Sequence, residues 1–234
     1  MGGDGTLQLL ARESMGCAAE IGVIPTGGGN DFAAALGIRS WRQGVRAIVE
    51  GKTREVDAIR VGFASGEQAF YLGGGGVGLD AEAARHANGK FLTWPGRLRY
   101  LAAAITALRG YSGIDIEIEH ENSAPKISAR VLLAAALNTP TYGGGICLAP
   151  EARMDDGELD VVIIEVLSRL EILKLIPRLL VTGRLSTNRA KRFRAKKIRL
   201  TSNENRWFHG DGELLGQTPL EVEVVPGAIR VLAP

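Results

Sequence analysis

Several short stretches of this 234-residue chain put chemically capable side chains into loops. Gly2-Gly3-Asp4-Gly5-Thr6 stands directly before a helical pattern, Leu7 to Arg12. Backbone N–H groups of such a loop can ring a phosphate, because glycine removes the side-chain obstruction and a helix N-terminus favours an anion. Asp4 would repel that phosphate unless a cation intervened, so the loop suits a magnesium-bound nucleotide better than bare phosphate. A simple tight turn is the plain alternative. Pro25-Thr26-Gly27-Gly28-Gly29-Asn30-Asp31-Phe32 again lies between a strand and a helix. Two such loops can clamp one polyphosphate from both sides, while Asp31 by itself could serve only as a helix cap.

Three further carboxylate groups matter. Asp57 alternates in phase with Ile59 and Val61, which buries it among apolar neighbours and demands a partner or a metal ion. Tyr142-Gly143-Gly144-Gly145 is followed by Asp155-Asp156-Gly157-Glu158-Leu159-Asp160, and close carboxylates in a glycine turn suit a hard divalent cation. A solvated turn is the competing reading. Gly210-Asp211-Gly212-Glu213 holds two carboxylates in a tight turn, and one magnesium-holding acid plus one general base is what phosphoryl transfer to a hydroxyl requires.

Other features narrow the chemistry. Gly73, Gly75 and Gly78 have the spacing of a dinucleotide fingerprint, but Leu98 stands where an acid should bind the ribose about twenty residues on. His86, His120 and His209 are far apart, which argues against zinc. The formal charge of +2 steers the chain toward neither nucleic acid nor membrane as a whole. Arg184 to Arg199, however, holds eight basic residues and no acid, a stretch able to lie on anionic lipid or to guard a strand edge. No run approaches the ~18 apolar residues that span a bilayer, and no secretory leader is evident. Cys17 and Cys147 lack metal or redox spacing and read as buried small hydrophobes in a reducing compartment.

The elements that must hold these loops fall into two groups. The opening fifth is α/β: a helix at Leu7–Arg12, a strand at Ile21–Ile24, a helix at Phe32–Leu36 stopped by Gly37, and another whose apolar face is Val45, Ile48 and Val49, closed by Gly51. After Lys52 the pattern turns to strands at Arg54–Val61, Gln68–Leu72, Ile114–Glu121, Ile127–Leu137, Leu159–Val166, Lys196–Thr201, Leu220–Val225 and Ile229–Leu232. Helices interrupt them at Arg97–Arg109 and Ser168–Val181. The second opens with a Ser168/Glu171 capping box and should be kinked or split at Pro177. The expected fold is an α/β nucleotide-binding domain plus an antiparallel β-sandwich domain. The first comprises residues 1–53 with a returning segment 218–234, and the second residues 54–217.

Taken in order, these motifs resemble the diacylglycerol kinase catalytic family, which includes sphingosine and related lipid kinases. The matching pieces are GGDGT at Gly2–Thr6, IPTGGGNDFA at Ile24–Ala33, GVGLDA at Gly76–Ala81, YGGGICLAPEARMDDGELDV at Tyr142–Val161 and GDGE at Gly210–Glu213. The resemblance implies ATP phosphates held by Gly3, Asp4, Gly5 and Thr6 together with Gly27, Gly28, Gly29 and Asn30. It implies Glu213 as general base toward a lipid hydroxyl with Asp211 beside it. It also implies Mg2+ near Asp156, with a carboxylate network through Asp4, Asp31 and Asp57. The implied protein is a cytoplasmic enzyme that acts on a glycerolipid such as diacylglycerol, touches the anionic inner membrane surface peripherally and binds no nucleic acid. A homodimer stays open. Gly28 occupies the family's usual threonine position, so one hydroxyl ligand to phosphate is absent. Family members carry strands and helices before GGDGT, so the nucleotide domain is expected to be incomplete at its N-terminus. Two other readings remain: an NAD-kinase-like enzyme acting on a soluble substrate, and a non-catalytic lipid- or nucleotide-binding protein.

Overall fold

A computed structural model describes residues 1–89, 96–121, 125–185 and 187–234. The chain opens with α1 (Asp4–Ser14), β1 (Glu20–Gly22), α2 (Asp31–Ala35) and α3 (Trp41–Glu50). It continues through β2 (Thr53–Phe63), β3 (Gln68–Tyr71), β4 (Gly74–Gly78), α4 (Leu79–Asn88) and α5 (Gly96–Gly110). Strands β5 (Ile114–His120), β6 (Ile127–Leu137), β7 (Thr141–Tyr142), β8 (Ile146–Cys147) and β9 (Leu159–Glu165) precede α6 (Arg169–Thr182). The chain finishes with β10 (Ala190–Ala195), β11 (Lys197–Ser202), β12 (Trp207–Gly210), β13 (Glu213–Gln217) and β14 (Leu220–Leu232).

Antiparallel pairing links the strands in the order β13-β12-β4-β6-β5-β11-β14-β2-β3, with β9 added to β6 and β10 to β9. The two ends of this order meet. Tyr71 on β3 packs on Phe208 of β12 at 6.0 Å between ring centroids, and its hydroxyl donates to the Ala136 carbonyl on β6 at 2.9 Å. The sheet therefore folds over on itself into a sandwich around one apolar core. Alternation on β5 sends Ile114, Ile116 and Ile118 into that core.

Strands β2 and β14 are shared by both halves of the molecule. The first part of β14 pairs with β2 and β11 inside the sandwich, and a bulge follows between Val225 and Ile229. Beyond the bulge, Arg230, Val231 and Leu232 pair in parallel with β1. The two strands expected at Leu220–Val225 and Ile229–Leu232 are thus one bulged strand. A second core of Leu7, Ala11, Ile21, Val23, Phe32, Ile38, Ala47, Val56 and Val231 fills the first unit.

Several expectations need correction. Val45, Ile48 and Val49 do not form the buried face of α3: they are 40%, 38% and 80% exposed, while Gly44 and Ala47 are buried. Close approach is the reason, since a Cβ on Gly44 would lie 2.4 Å from the Val23 carbonyl oxygen. Cys17 is exposed and Cys147 half-buried, so neither is the buried hydrophobe its neighbours in sequence suggest. The Ser168/Glu171 capping box forms, but α6 runs through Pro177 without splitting. Of the glycines with the dinucleotide-like spacing, Gly75 and Gly78 lie in β4, where a Cβ would collide with Phe208 and with the Leu132 carbonyl, and Gly73 stands just before it, where a Cβ would lie 3.0 Å from Asp211 Oδ1. Among the described residues no helix is long and apolar enough to cross a membrane.

The joint between the halves is buried. Asp57 is 3% exposed, and its Oδ2 accepts the Gly157 N–H while Oδ1 accepts the Gly227 N–H, each at 2.8 Å. Asn138 donates to the carbonyls of Asp57 and Leu72 at 3.0 Å. Asp57→Ala would leave two amides without acceptors and is expected to cost about 2–4 kcal/mol in urea unfolding.

Candidate active site

Two glycine loops meet backbone to backbone. A Cβ on Gly27 would lie 2.5 Å from Gly3 Cα, so glycine is required there for the loops to touch. Asn30, in the left-handed region at φ 59°, closes its own loop: its Oδ1 accepts the Gly27 N–H at 2.9 Å and its Nδ2 donates to the Gly27 carbonyl at 2.7 Å. Gly2 adds the N–H donated to Ile24 and the carbonyl that accepts from Thr26. A Cβ on Gly5 would meet nothing within 4 Å, which leaves the first turn of α1 open to a ligand.

A chain of carboxylates then joins the first unit to the sandwich. Asp4 accepts the N–H groups of Asp31 and Phe32 at 3.2 and 3.1 Å, so it caps α2. Asp31 in turn accepts the Gly144 N–H at 2.7 Å and the Thr141 hydroxyl at 3.0 Å. Asp211 accepts the N–H groups of Leu72, Gly73 and Gly74 at 2.8, 2.9 and 3.0 Å. Both its oxygens are thereby occupied, and Asp211 anchors the turn that presents Glu213. Burial raises the Asp31 carboxyl above its ordinary 3.8, opposed by its donors and reinforced by Asp4. Burial likewise raises Asp211 against the pull of its three backbone donors, again with Asp4 adding repulsion.

These groups line one end of a cavity of about 500 Å³. Its polar end holds Asp4, Gly5, Gly28, Gly29, Asp31 and Gly144, with Asp211, Gly212 and the exposed Glu213 on the wall. Its other end is apolar, built by Leu79, Ala83 and Ala84 of α4, Ala104 of α5, Leu133, Ile146, Leu148, Leu179 and Leu185. One polar island interrupts it. Asp80 Oδ2 lies 3.3 Å from His209 Nε2 and accepts the Tyr142 hydroxyl at 3.2 Å, with the Tyr142 and His209 rings stacked at 5.9 Å. Burial, with Asp80 adding to it, raises Tyr142 well above the usual phenol range.

The residues expected at the site are therefore divided. Asp4, Gly5, Gly28, Gly29, Asp31, Asp211 and Glu213 share the cavity. Gly3, Thr6 and Asn30 line a small neighbouring groove of about 30 Å³, where the Thr6 side chain covers Gly2. Gly27 serves the loop contact. Asp57 binds Gly157 and Gly227 instead of joining Asp4 and Asp31. Asp156 sits in its own cluster: its Oδ1 accepts the Glu158 N–H at 3.2 Å and its Oδ2 lies 3.5 Å from Arg194. The buried Oδ2 atoms of Asp156 and Asp160 have no hydrogen-bond partner. Such orphaned carboxylate oxygens fit a magnesium ion, which takes one or two carboxylates and keeps its waters. Among the described residues no group of three or more His, Cys, Asp or Glu side chains gathers into a metal cluster. Asp80 lies within the GVGLDA motif, which by itself assigns it no role, and His209 and Asn88 carry no local sequence signal, since the cavity they serve forms only when β4, α4 and β12 pack together.

An α/β unit thus closes onto an antiparallel sandwich, with glycine loops beside a largely apolar cavity. Residues 73–233 match the YegS C-terminal NAD kinase beta sandwich-like domain, and residues 1–61 match the diacylglycerol kinase catalytic domain. The chain belongs to this diacylglycerol kinase family. A diacylglycerol kinase of Mycobacterium tuberculosis is 28% identical over 236 residues, covering 100% of this chain and 75% of that protein. A diacylglycerol kinase of Bacillus subtilis is 25% identical over 237 residues, covering 100% of this chain and 76% of that protein. The crystal structure of a diacylglycerol kinase from Bacillus anthracis superposes with a TM-score of 0.69 at 19% identity, over 99% of this chain and 74% of that one.

Two outcomes follow from the geometry. Gly27→Ala is expected to destabilise the protein by about 1–3 kcal/mol, whereas Gly5→Ala, facing open space, should stay within about 0.5 kcal/mol in the same thermal melts. A carboxyl raised on folding contributes stability that is fully present below its ordinary value and lost as pH rises through its folded value. Wild type should therefore lose stability relative to Asp31→Asn as pH climbs from below 3.8 and level off above the raised value. Urea midpoints across that range check it.

Proposed function

We propose that this protein transfers the γ-phosphoryl group of ATP to a lipid hydroxyl, with diacylglycerol or a related glycerolipid as acceptor. The observation that carries the reading is the single cavity that joins Glu213 and the open first turn of α1 to a wall of Leu, Ile and Ala side chains. A polyphosphate fits the polar end, where the N–H groups of α1 and of the Gly28-Gly29 loop favour an anion. Acyl chains fit the other end at a gain of ~25 cal/mol per Å² removed from water.

In this reading Glu213 accepts the proton of the acceptor hydroxyl as its oxygen attacks the γ-phosphorus in line, and the bond to the ADP oxygen breaks. Asp211 ties one side of the turn to the β3–β4 junction through its three backbone donors, which limits the reorganisation Glu213 needs to meet the hydroxyl. Asp4 and Asp31 place negative charge beside the phosphate end, which calls for a cation with the nucleotide. Magnesium, held on the second cluster by Asp156 and Asp160, would supply positive charge against the carboxylates of the 155–160 turn. Arg194 offsets part of that charge at 3.5 Å from both Asp156 and Asp160.

Peripheral contact with an anionic inner membrane surface belongs to the same proposal. Much of the basic stretch is spent internally: Arg189 pairs with Glu171, Lys191 with Glu165, Arg194 with the 156–160 acids and Lys197 with Glu221. The support lies on and just after α6, where Leu170 and Val181 are 71% and 86% exposed and Lys174 and Arg184 are also exposed.

Glu213→Gln keeps the shape of the side chain and removes its basicity, so kcat on dioctanoylglycerol micelles with magnesium-ATP should fall about 10²- to 10⁴-fold. Wild-type turnover by that variant would overturn the mechanism. Phosphorylation of NAD in place of lipid would decide for a soluble-substrate kinase, and lipid binding without turnover for a non-catalytic binding protein.

A further inference from the structure

Helix α4 touches two parts of the site at once. Ala83 and Ala84 in its middle line the apolar end of the cavity. Asp80 in its first turn lies 3.3 Å from His209 Nε2 on β12, and Asn88 at its last position donates through Nδ2 to the Gly212 carbonyl at 2.8 Å. Strands β12 and β13 form the hairpin whose turn presents Glu213. The helix thus meets that hairpin at both ends and is hydrogen-bonded to it through Asn88.

The turn itself needs such support. Asp211 has φ 51° and Gly212 φ 88°, so both residues occupy the left-handed region, which is costly for any residue with a Cβ. The Asp211 carboxylate grips the β3–β4 junction on one side of the turn. Asn88 grips the Gly212 carbonyl on the other. Alanine has no rotamer with which to yield, so pressure from a chain filling the cavity at Ala83 and Ala84 moves or stiffens the helix as a body. That change reaches the turn through Asn88.

We infer that Asn88 is a positioning residue that couples filling of the acyl cavity to the placement of Glu213; the inference rests on the lipid-kinase reading above. Glu213 is exposed, and an acyl-loaded α4 would hold its turn in one place. Acceptors long enough to press on α4 would then gain turnover beyond what they gain in binding, a use of remote binding energy at the reacting centre.

Hydrogen–deuterium exchange on the full chain, with and without the water-soluble probe dihexanoylglycerol, tests the coupling independently of catalysis. In wild type the amides of residues 210–215 are expected to exchange more slowly when the probe is bound. In Asn88→Ala the probe should bind within about twofold of wild type while the slowing disappears, and kcat should fall about ten- to hundredfold with little change in KM. Asn88→Asp, which matches the size but cannot donate, should behave like Asn88→Ala, and Asn88→Gln, which keeps the amide donor, should recover part of both effects. Should Asn88→Ala fail to fold, Asn88→Asp and Asn88→Gln carry the same comparison. Slowed exchange that survives loss of the donor, or a kcat loss matched by an equal rise in KM, overturns the coupling. Failure of the underlying reading looks different: wild type would bind no probe, which sinks both proposals, or Glu213→Gln would turn over normally.

Discussion

Asp211 accepting the N–H groups of Leu72, Gly73 and Gly74 is the contact on which the site depends. It draws a turn 139 residues from Leu72 in the chain onto the start of the glycine strand β4. Without it, β12 and β13 would still pair, and their turn would keep only the Asp211 N–H donated to the Gly74 carbonyl and the Asn88 bond to Gly212. The cost is a carboxylate in a poorly hydrated place, close enough to Asp4 to feel its charge. The backbone donors offset much of that cost, because hydrogen bonds to a charged acceptor are stronger than neutral ones.

Glycine does two different jobs in this protein, and only one concerns a ligand. At Gly3, Gly27, Gly44 and in β4 the missing side chain lets backbones or rings approach to distances no Cβ would permit. At Gly5 nothing stands nearby, and the space belongs to whatever the α1 N-terminus binds. A glycine-rich sequence therefore overstates the number of phosphate contacts. In the proposed clamp the first kind of glycine brings two loops together and the second kind leaves their shared face open.

The cavity joins two solvents' worth of chemistry in one space. Its polar end is made of helix N-termini and carboxylates, its apolar end of small aliphatic side chains from α4, α5 and the segments around Leu148 and Leu185. Helix α4 belongs to both, since Asn88 bonds the hairpin turn and Asp80 lies against His209, while Ala83 and Ala84 line the cavity. A rigid element shared between substrate pocket and catalytic turn is the simplest means of letting one influence the other.

Local chemistry was sufficient to mark the loops, the sandwich and the acids. Strand periodicity placed β2, β5, β6 and β9, Ser168 and Glu171 announced the start of α6, and the phase of Asp57 with Ile59 predicted its burial. What the sequence could not assign were partners. Asp57 in the middle of β2 ties Gly157 to Gly227, and Asp31 after the second glycine loop ties α2 to Gly144, although both were expected in one network with Asp4. The apolar pattern of α3 pointed to Val45, Ile48 and Val49, while packing chose Gly44 and Ala47, because backbone contact with Val23 outweighed side-chain hydrophobicity. Asp80, His209 and Asn88 became neighbours of the site only through the pairing of β4 with β12 and the packing of α4 over both. Sequence spacing carries backbone conformation and burial phase, since both are local; which donor meets which acceptor depends on contacts between residues more than a hundred positions apart, and only the tertiary fold decides those.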